Sequence, residues 1–505
     1  MYSSGIQLVD WGDDALTLRG VAPSHGQARR ALIHRDRLLA MSDKSVQAFD
    51  IADRDAPAAR ADVALAANVN DVAFGDGVVV RLSSDWWTNE TSLEVVSADD
   101  PETAEPLGRL ALASISEDFA CGSSWGRDLF VHEGFAYLLR ESYSWGEFEE
   151  YSSILVLDAI DVRDPANPQW TSTIELPFEL GYGGYGLGLQ NEERTVVLAG
   201  DALVFTTSAS HYDGEEYVGQ TAALEVVDLS QPGAPAHTGE LARPDGTAHG
   251  GLQQQGDALY SWHMRPVDGD DSKVRFYFDR FDVSSPDAPD AALSVNVPGQ
   301  VVAYDDATDR AVTVGFQLEQ IDAPENGCWG HPKVWGYDYE ADECTIAHRP
   351  LHLLRIQDDG AVLLDTLDVE GEATRLTGAM ATDSRLFAMV SDGGNYGWED
   401  DDGAGVYVPP VDSLVVITGH GDDALEEAAR VELQQTSWTS LLGASGDRAM
   451  YRSDRGLGFL DASDAEDPAV IIAPTLGWGC YDAVVTDDAV YCVLGEHGLQ
   501  VVSLP

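Results

Sequence analysis

The sequence predicts an all-β protein, a single closed β-propeller of four-stranded antiparallel blades spanning residues 1–505. Three observations predict it. Four short apolar runs, separated by turns rich in Asp, Gly or Pro, recur roughly every 40–75 residues, which is the pattern of propeller blades. No helix-period stretch runs longer than about two turns. The chain opens in mid-repeat, and its last unit stops one strand short.

Taken in order, the opening runs are IQLVDW (6–11) and ALTLRG (15–20). The first full unit is RRALIHRDRLLAMSD, VQAFDI, the turn ADRDAP and ARADVAL. The second is VNDVAFGDGVVVRLSS with LEVVSADDPETAEPLGRLAL, and the third GRDLFVHEGFAYLLRES with ILVLDAIDVRDPANPQWTSTIELP. RTVVLAGDALVFTTS with ALEVVDLSQPGAPAHTGEL makes the fourth, and GGLQQQGDALYSWHM with FDRFDVSSPDAPDAALSVNV the fifth. The sixth joins VVAYDDATDRAVTVGF to LHLLRIQDDGAVLLDTLDV. The seventh joins LTGAMATDSRLFAMVSD to LVVITGHGDDALEEAARVEL, whose LEEAARVELQQ (425–435) has some helical character but occupies a fourth-strand place. SLLGASGDRAMYRSD with LGFLDASDAEDPAVIIAPTL is the eighth, and YDAVVTDDAVYCVLGEHGLQVVSLP ends the chain. The count is nine blades, or eight if one unit is irregular. Residues 6–20 are expected to complete the last blade, closing the ring and hiding its edges.

The same tail recurs in these units. Val226-Val227-Asp228 is followed by Pro232 and Pro235, Ile160-Asp161 by Pro165 and Pro168, Phe281-Asp282 by Pro286 and Pro289, and Ile51 by Asp55 and Pro57. The motif resembles the LVIVD-type repeat of secreted bacterial β-propeller proteins. The sixth and seventh units depart from it, with QDDG and GHGDD in place of the proline turn. The resemblance implies the fold and a secreted or surface setting. The family is functionally diverse, so no catalytic residue carries over.

Composition excludes several partners. The net charge is −58, from 87 acidic and 29 basic residues. Three of the basic residues are lysine (Lys44, Lys273 and Lys333). A nucleic-acid backbone needs a cationic stripe, and none is present. An anionic membrane surface would repel the chain, and no apolar run is long enough to span a membrane. The acidity suits a salt-rich habitat, where cations screen self-repulsion, or a surface that uses Asp in its turns. Met1 is followed by YSSGIQLVD, without a basic or apolar leader, so a targeting peptide is expected to be absent or removed. The expected location is secreted, periplasmic or cell-surface.

Five cysteines fit two disulfides, Cys328–Cys344 and Cys480–Cys492, with Cys121 left over, and so an oxidising compartment. Five reduced, buried thiols are the alternative. No CxxC spacing calls for structural zinc.

The loops expected on one face are long, aromatic and acidic, and include the insertions 316–349 and 391–410. Ten of the twelve tryptophans fall in or beside them. The candidate binding residues are Trp86, Trp87, Trp125, Tyr143, Trp145, Tyr212, Trp262, Trp329, Trp335, Trp398, Trp438 and Trp478. Rigid amphipathic rings on clustered loops suit ligand contact, or they pack on one another to order the loops. Asp392, Asn395, Glu399, Asp400, Asp401 and Asp402, with a smaller group at Asp268, Asp270 and Asp271, offer hard oxygens for calcium. Neither group has EF-hand spacing, and a solvated acidic loop reads equally from the pattern.

Two catalytic patterns lack their context. Gly122-Ser123-Ser124-Trp125-Gly126 matches GxSxG but leads into a strand rather than a helix. Gly181, Gly183 and Gly186 match GxGxxG but precede TVVLAG, again a strand. His331, His348 and His352 lie close in sequence, and His211, His249 and His263 are placed to approach the loop face. Asn89-Glu90-Thr91 fits a glycosylation sequon. The functional expectation is a binding scaffold for a protein or carbohydrate ligand, with calcium as a possible stabiliser. The alternatives are a polysaccharide hydrolase or lyase using carboxylates and His in the funnel, and a structural part of a surface assembly.

Overall fold

The computed structural model describes residues 4–503 apart from 13–14, 25–27, 43–44, 66–67, 86–89, 104, 113–123, 146–150, 182–188, 190–192, 214–215, 256–257, 324–327, 329–330, 335–342, 373, 393–394, 399–404, 409, 434–438, 454–455, 474–479, 481, 487–488 and 496. Among the described residues every regular element longer than one residue is a strand. None of them forms a helix long and apolar enough to cross a membrane.

The repeats fold as antiparallel sheets in chain order. The first covers 28–64, the second 71–112, the third 124–176, the fourth 196–242 and the fifth 248–297. The sixth covers 300–367, the seventh 375–432, the eighth 439–473 and the ninth 482–503. Glu426–Glu432, the stretch with helical character, is the fourth strand of its sheet. The ninth sheet has three strands. Hairpins inserted between the second and third strands carry the long connections: Gln317–Asp322 with Glu343–His348 in the sixth sheet, and Asn395–Trp398 with Gly405–Val408 in the seventh.

The recurring Asp has one local job. Its side chain accepts the N–H two residues on: Ala52 donates to Asp50, Arg163 to Asp161, Ser230 to Asp228, Ser284 to Asp282 and Ser463 to Asp461. This Asx turn ends the third strand and starts the fourth. A bulge just before it shifts the register at Ala48/Phe49, Ala159/Ile160, Val226/Val227 and Arg280/Phe281, which adds twist at the same place in each sheet.

Neighbouring sheets bury apolar faces against each other. Leu82 and Val95 share a core with Ala136 and Leu138, Tyr137 and Leu157 with Leu203 and Val227, and Val204 and Val226 with Leu259 and Phe281. The series continues with Trp262 and Phe278 on Tyr304 and Leu354, and Val312 and Leu353 with Leu386 and Val415. Phe387 and Val416 then join Tyr451 and Leu460, and Met450 and Phe459 join Val490. Val493 and Leu499 of the ninth sheet pack with Val72, Val79 and Val96 of the second. The arrangement is propeller-like.

The N-terminal segment departs from expectation. Ser4–Trp11 and Leu16–Ser24 pair with each other, not with the three-stranded ninth sheet. Leu8 and Ala22 lie on Leu38, Ala40, Phe49 and Ile51 of the first sheet. Gly20 N–H donates to Arg54 O at 2.8 Å, and Arg19 and Arg54 bind Asp10 while Arg19 also binds Asp55. Local closure of a short hairpin costs far less chain entropy than pairing across the whole chain, and the Arg–Asp contacts then hold it.

Both expected disulfides are present: Cys328–Cys344 with Cα atoms 5.6 Å apart and Cys480–Cys492 at 5.1 Å. Cys121 lies outside the described residues.

Candidate functional site

A polar position recurs three residues before the turn Asp, or Ser97 in the second sheet. It holds Gln47, Glu94, Asp158, Glu225 and Asp279 in the first five sheets. Each side chain is matched by a neighbour. Gln47 donates to Asp62, Arg81 binds Glu94 at 2.7 Å, and Arg140 and Thr173 bind Asp158. His263 Nδ1 lies 2.7 Å from Asp279 Oδ2. Arg265 Nε donates to His263 Nε2, so Nδ1 carries that ring's proton when neutral.

The fourth sheet differs. His237 Nε2 lies 2.7 Å from Glu225 Oε2, but the residue directly opposite Glu225 on the outer strand is another carboxylate, Glu240. Directly opposed side chains on neighbouring strands have Cβ atoms about 5 Å apart. Burial raises the Glu225 carboxyl above its ordinary range; His237 opposes that shift and Glu240 adds to it.

Glu225 and Glu240 border a cleft of about 860 Å³ that also takes in Glu179, Asp245, Arg243 and His249. Phe178 and Pro244 give it apolar wall, and Thr207, Ser208 and Thr221 give it hydroxyls. The long strands Ala202–Asp213 and Glu216–Asp228 form one side. Arg243 is buried, donating to Gly250 O, Trp262 O and the Ser261 hydroxyl. Burial pushes its guanidinium down to about 10, so it stays charged at neutral pH.

His249 is 6% exposed. Its Nε2 faces Pro244 O at 2.8 Å, and a carbonyl can only accept, so Nε2 carries the proton. Burial first, then the Arg243 charge, lowers this imidazole to about 4. The ring is therefore neutral at pH 7, and Nδ1 is a lone-pair acceptor with no hydrogen-bond partner. A buried acceptor left unpaired is costly unless something donates to it. Its ring stacks at 5.9 Å on that of His263.

Behind the cleft, Glu193 ties three elements together. It accepts from Trp262 Nε1 at 2.6 Å, Gln300 Nε2 at 2.9 Å and Gly251 N–H at 2.9 Å. Gly250 lies against the same indole, where a Cβ would sit 2.2 Å from Trp262 Nε1. Trp262, expected on the loop face, is thus fully buried in the core between the fifth and sixth sheets. Its neighbours along the sequence alternate between faces, and the apolar side of this strand is the side that packs.

The other aromatic candidates divide in two. Trp125, Tyr143, Trp145, Tyr212 and Trp398 lie on strands. Trp86, Trp87, Trp329, Trp335, Trp438 and Trp478 lie outside the described residues, as does Asn89. Of the calcium candidates, Glu399, Asp400, Asp401 and Asp402 also lie outside. Asp392 accepts the Val411 N–H at 2.8 Å at the neck of its insertion, and Asn395 begins the inserted hairpin. Asp268, Asp270 and Asp271 flank the tight turn at Gly269.

Of the histidines, His249 and His263 come together, whereas His331, His348 and His352 bond separately to Lys333 N–H, Glu319 and Thr366. One further carboxylate–histidine group is surface-placed: His132, Glu133 and Asp201, with ligand atoms within 4.8 Å. Ser124, Trp125 and Gly126 lie on a strand, not a strand-to-helix elbow. Glu225, Glu240, Arg243, Glu179 and Asp245 were not singled out from sequence. The available signal was the repeat itself: only the fourth of these sheets sets one carboxylate opposite another among the five polar positions.

No known protein family matches the sequence, and no curated protein matches it. Solved structures do. Hsv2 from Kluyveromyces marxianus aligns at 10% identity and a TM-score of 0.30, covering 79% of this chain and 96% of that one. Hsv2 from Kluyveromyces lactis aligns at 10% identity and 0.31, covering 79% and 96%. A protein from Lactobacillus plantarum aligns at 10% identity and 0.32, covering 77% and 92%.

Proposed function

We propose that this chain is a secreted or surface-exposed binding scaffold whose ligand is a donor-rich, polyhydroxylated molecule, a carbohydrate, held in the cleft beside the fourth sheet. The observation that carries this reading is the set of acceptors gathered there. Four carboxylates, Glu179, Glu225, Glu240 and Asp245, all accept hydrogen bonds. Sugar hydroxyls donate, and Phe178 and Pro244 offer apolar surface to a ring face. A polyanion would meet four carboxylates there against one buried guanidinium, that of Arg243.

The scaffold in this reading is an LVIVD-type ring of eight sheets, the second to the ninth. Support for closure comes from the core that Val493 and Leu499 share with Val72 and Val79. Support for an oxidising setting comes from the two disulfides. The test is calorimetric titration with neutral glucan, amino-sugar and uronic-acid oligomers of matched length, on the wild type and on Glu240→Leu. Binding of a neutral or amino-sugar oligomer that Glu240→Leu weakens at least tenfold supports the proposal. Binding of the uronic acid alone, or none, overturns it.

A second reading is favoured by the raised Glu225 carboxyl opposite Glu240. A carboxyl that holds its proton more tightly than usual, set opposite a second carboxylate, suits glycoside hydrolysis, with Glu225 as acid and Glu240 as base or nucleophile. Turnover of the bound oligomer, lost in Glu225→Gln with binding retained, separates the enzyme from the scaffold.

A further inference from the structure

The first sheet stands apart from the packing that runs through the others. Its strands align with those of the second by their hairpin turns, where His34 pairs with Arg37 and Gly75 with Val78. Leu38 and Phe49 then correspond to Val79 and Val96, and both pairs are buried. Leu38 and Phe49 are covered by the N-terminal hairpin. The other face is Leu32, Leu39, Met41, Val46, Ala48 and Val63, in two rows across the four strands. Leu39, Met41, Val46 and Ala48 correspond to Val80, Leu82, Leu93 and Val95, which are fully buried against the third sheet. In the first sheet this face is open: Leu32 is 55% exposed, Leu39 36% and Val63 60%.

Charge limits what can cover it. Residues 1–65 hold eight of the 29 basic residues and nine of the 87 acidic ones, so they are nearly neutral. The remaining residues carry almost all of the −58. Two copies approaching through that acidic body repel each other, whereas the N-terminal segment is where they can meet without it. The second to the ninth sheets each bury apolar faces on sheets of the same repeat, so the shape that fits this face is another such sheet.

We propose that the open face of the first sheet is a self-association surface, occupied by the same face of a second copy about a two-fold axis. Sheet-on-sheet packing would bring Leu39, Met41 and Val46 of one protomer onto those of its partner, with the sheets about 10 Å apart.

Sedimentation velocity on the full chain tests this, from about 1 to 100 µM, where a small interface holds. The expected result is a monomer–dimer equilibrium that strengthens at least severalfold as NaCl rises, because salt screens the acidic bodies. Leu32→Asp and Val63→Asp, at exposed positions, should return the monomer. Hydrogen exchange on the wild type at both ends of the concentration range is a readout independent of any variant's folding. Protection confined to 30–33, 39–42, 45–48 and 61–63 at high concentration supports the proposal. A wild-type monomer at all concentrations and salts overturns it, as does a dimer that persists in both folded variants or protects other segments.

Discussion

Glu225 and Glu240 face each other across adjacent strands of the fourth sheet, where the other sheets with a polar residue at this position set it against Asp62, Arg109, Thr173 or Ser294. In the first sheet Gln47 binds that Asp62. A like-charged pair is sustained only if one member gains a partner, and here His237 binds Glu225. The pair therefore costs stability.

Glu240→Gln removes the opposing charge. Directly opposed like charges destabilise a sheet by up to about 1 kcal/mol, so urea unfolding at pH 7 should show the variant more stable by roughly 0.5 kcal/mol. The sign follows from the raised Glu225 carboxyl. The folded state holds that proton more tightly than the unfolded one, so the cost is absent at low pH and grows as pH rises through the folded value. The stability gain of the variant should shrink as pH falls below the ordinary glutamate range. A gain that is constant with pH would contradict the coupling.

His249 sets an acid limit of opposite sign. Its pKa drops from 6.5 to about 4 on folding, because burial and Arg243 disfavour the imidazolium. Between those values the unfolded state binds more protons, so stability falls as pH falls from about 6.5 to about 4. The contribution reaches at most about 3 kcal/mol over that window. His249→Gln keeps a donor for Pro244 O without a titrating ring. Denaturant midpoints between pH 4 and 7 should flatten in the variant, and an unchanged slope would reassign the acid sensitivity to other groups.

Lys333 and Glu370 pin the large disulfide-bearing insertion to the sixth and seventh sheets. Their ion pair is 3.1 Å long and buried, and Glu370 also accepts the Arg349 and Leu376 N–H groups. Lys333→Met strands a buried carboxylate and should cost about 3 kcal/mol by urea unfolding. Adding Glu370→Gln should recover part of the loss, since the amide needs no counter-ion. A double variant as unstable as the single would mean that lysine packing, not charge, does the pinning.

Much of the architecture was legible because each level of the sequence agreed. Asp228 reads as a turn residue and accepts the Ser230 N–H; the apolar run before it is a buried strand. Cys328 and Cys344 read as a pair and are one. What the sequence did not convey was which apolar face meets which sheet. IQLVDW and ALTLRG are valid strands beside either the ninth sheet or the first, and only packing against Leu38 and Phe49 decides. The cleft was hidden for a related reason. Glu225, Arg243 and His249 sit in ordinary repeat positions, and their chemistry arises from burial and from neighbours on other strands. Trp262 shows the same limit, since a tryptophan near a loop reads as exposed until the core claims it.

Gly250 and Trp262 should be coupled. Gly250 breaks the inner strand of the fifth sheet, leaving Ala248–His249 and Gln253–Gln255 as separate pieces on Ala258–Val267. A Cβ at Gly250 would press on the indole at Nε1, Cδ1 and Cε2. The indole cannot retreat, because Nε1 is held by Glu193 and the ring is enclosed by Phe276 and Phe278. Gly250→Ala alone should cost about 2 kcal/mol, in the range of overpacked cores. Trp262→Phe removes the pyrrole edge that clashes but loses the Glu193 bond and volume, and should cost about 2 kcal/mol itself. Combined, the two changes should cost clearly less than their sum, because the smaller ring makes room for the methyl group. A double-mutant cycle measured by urea unfolding reads this coupling directly. Strict additivity would mean that the strand break at Gly250 serves the backbone, and that its close approach to the Trp262 indole does not limit the packing there.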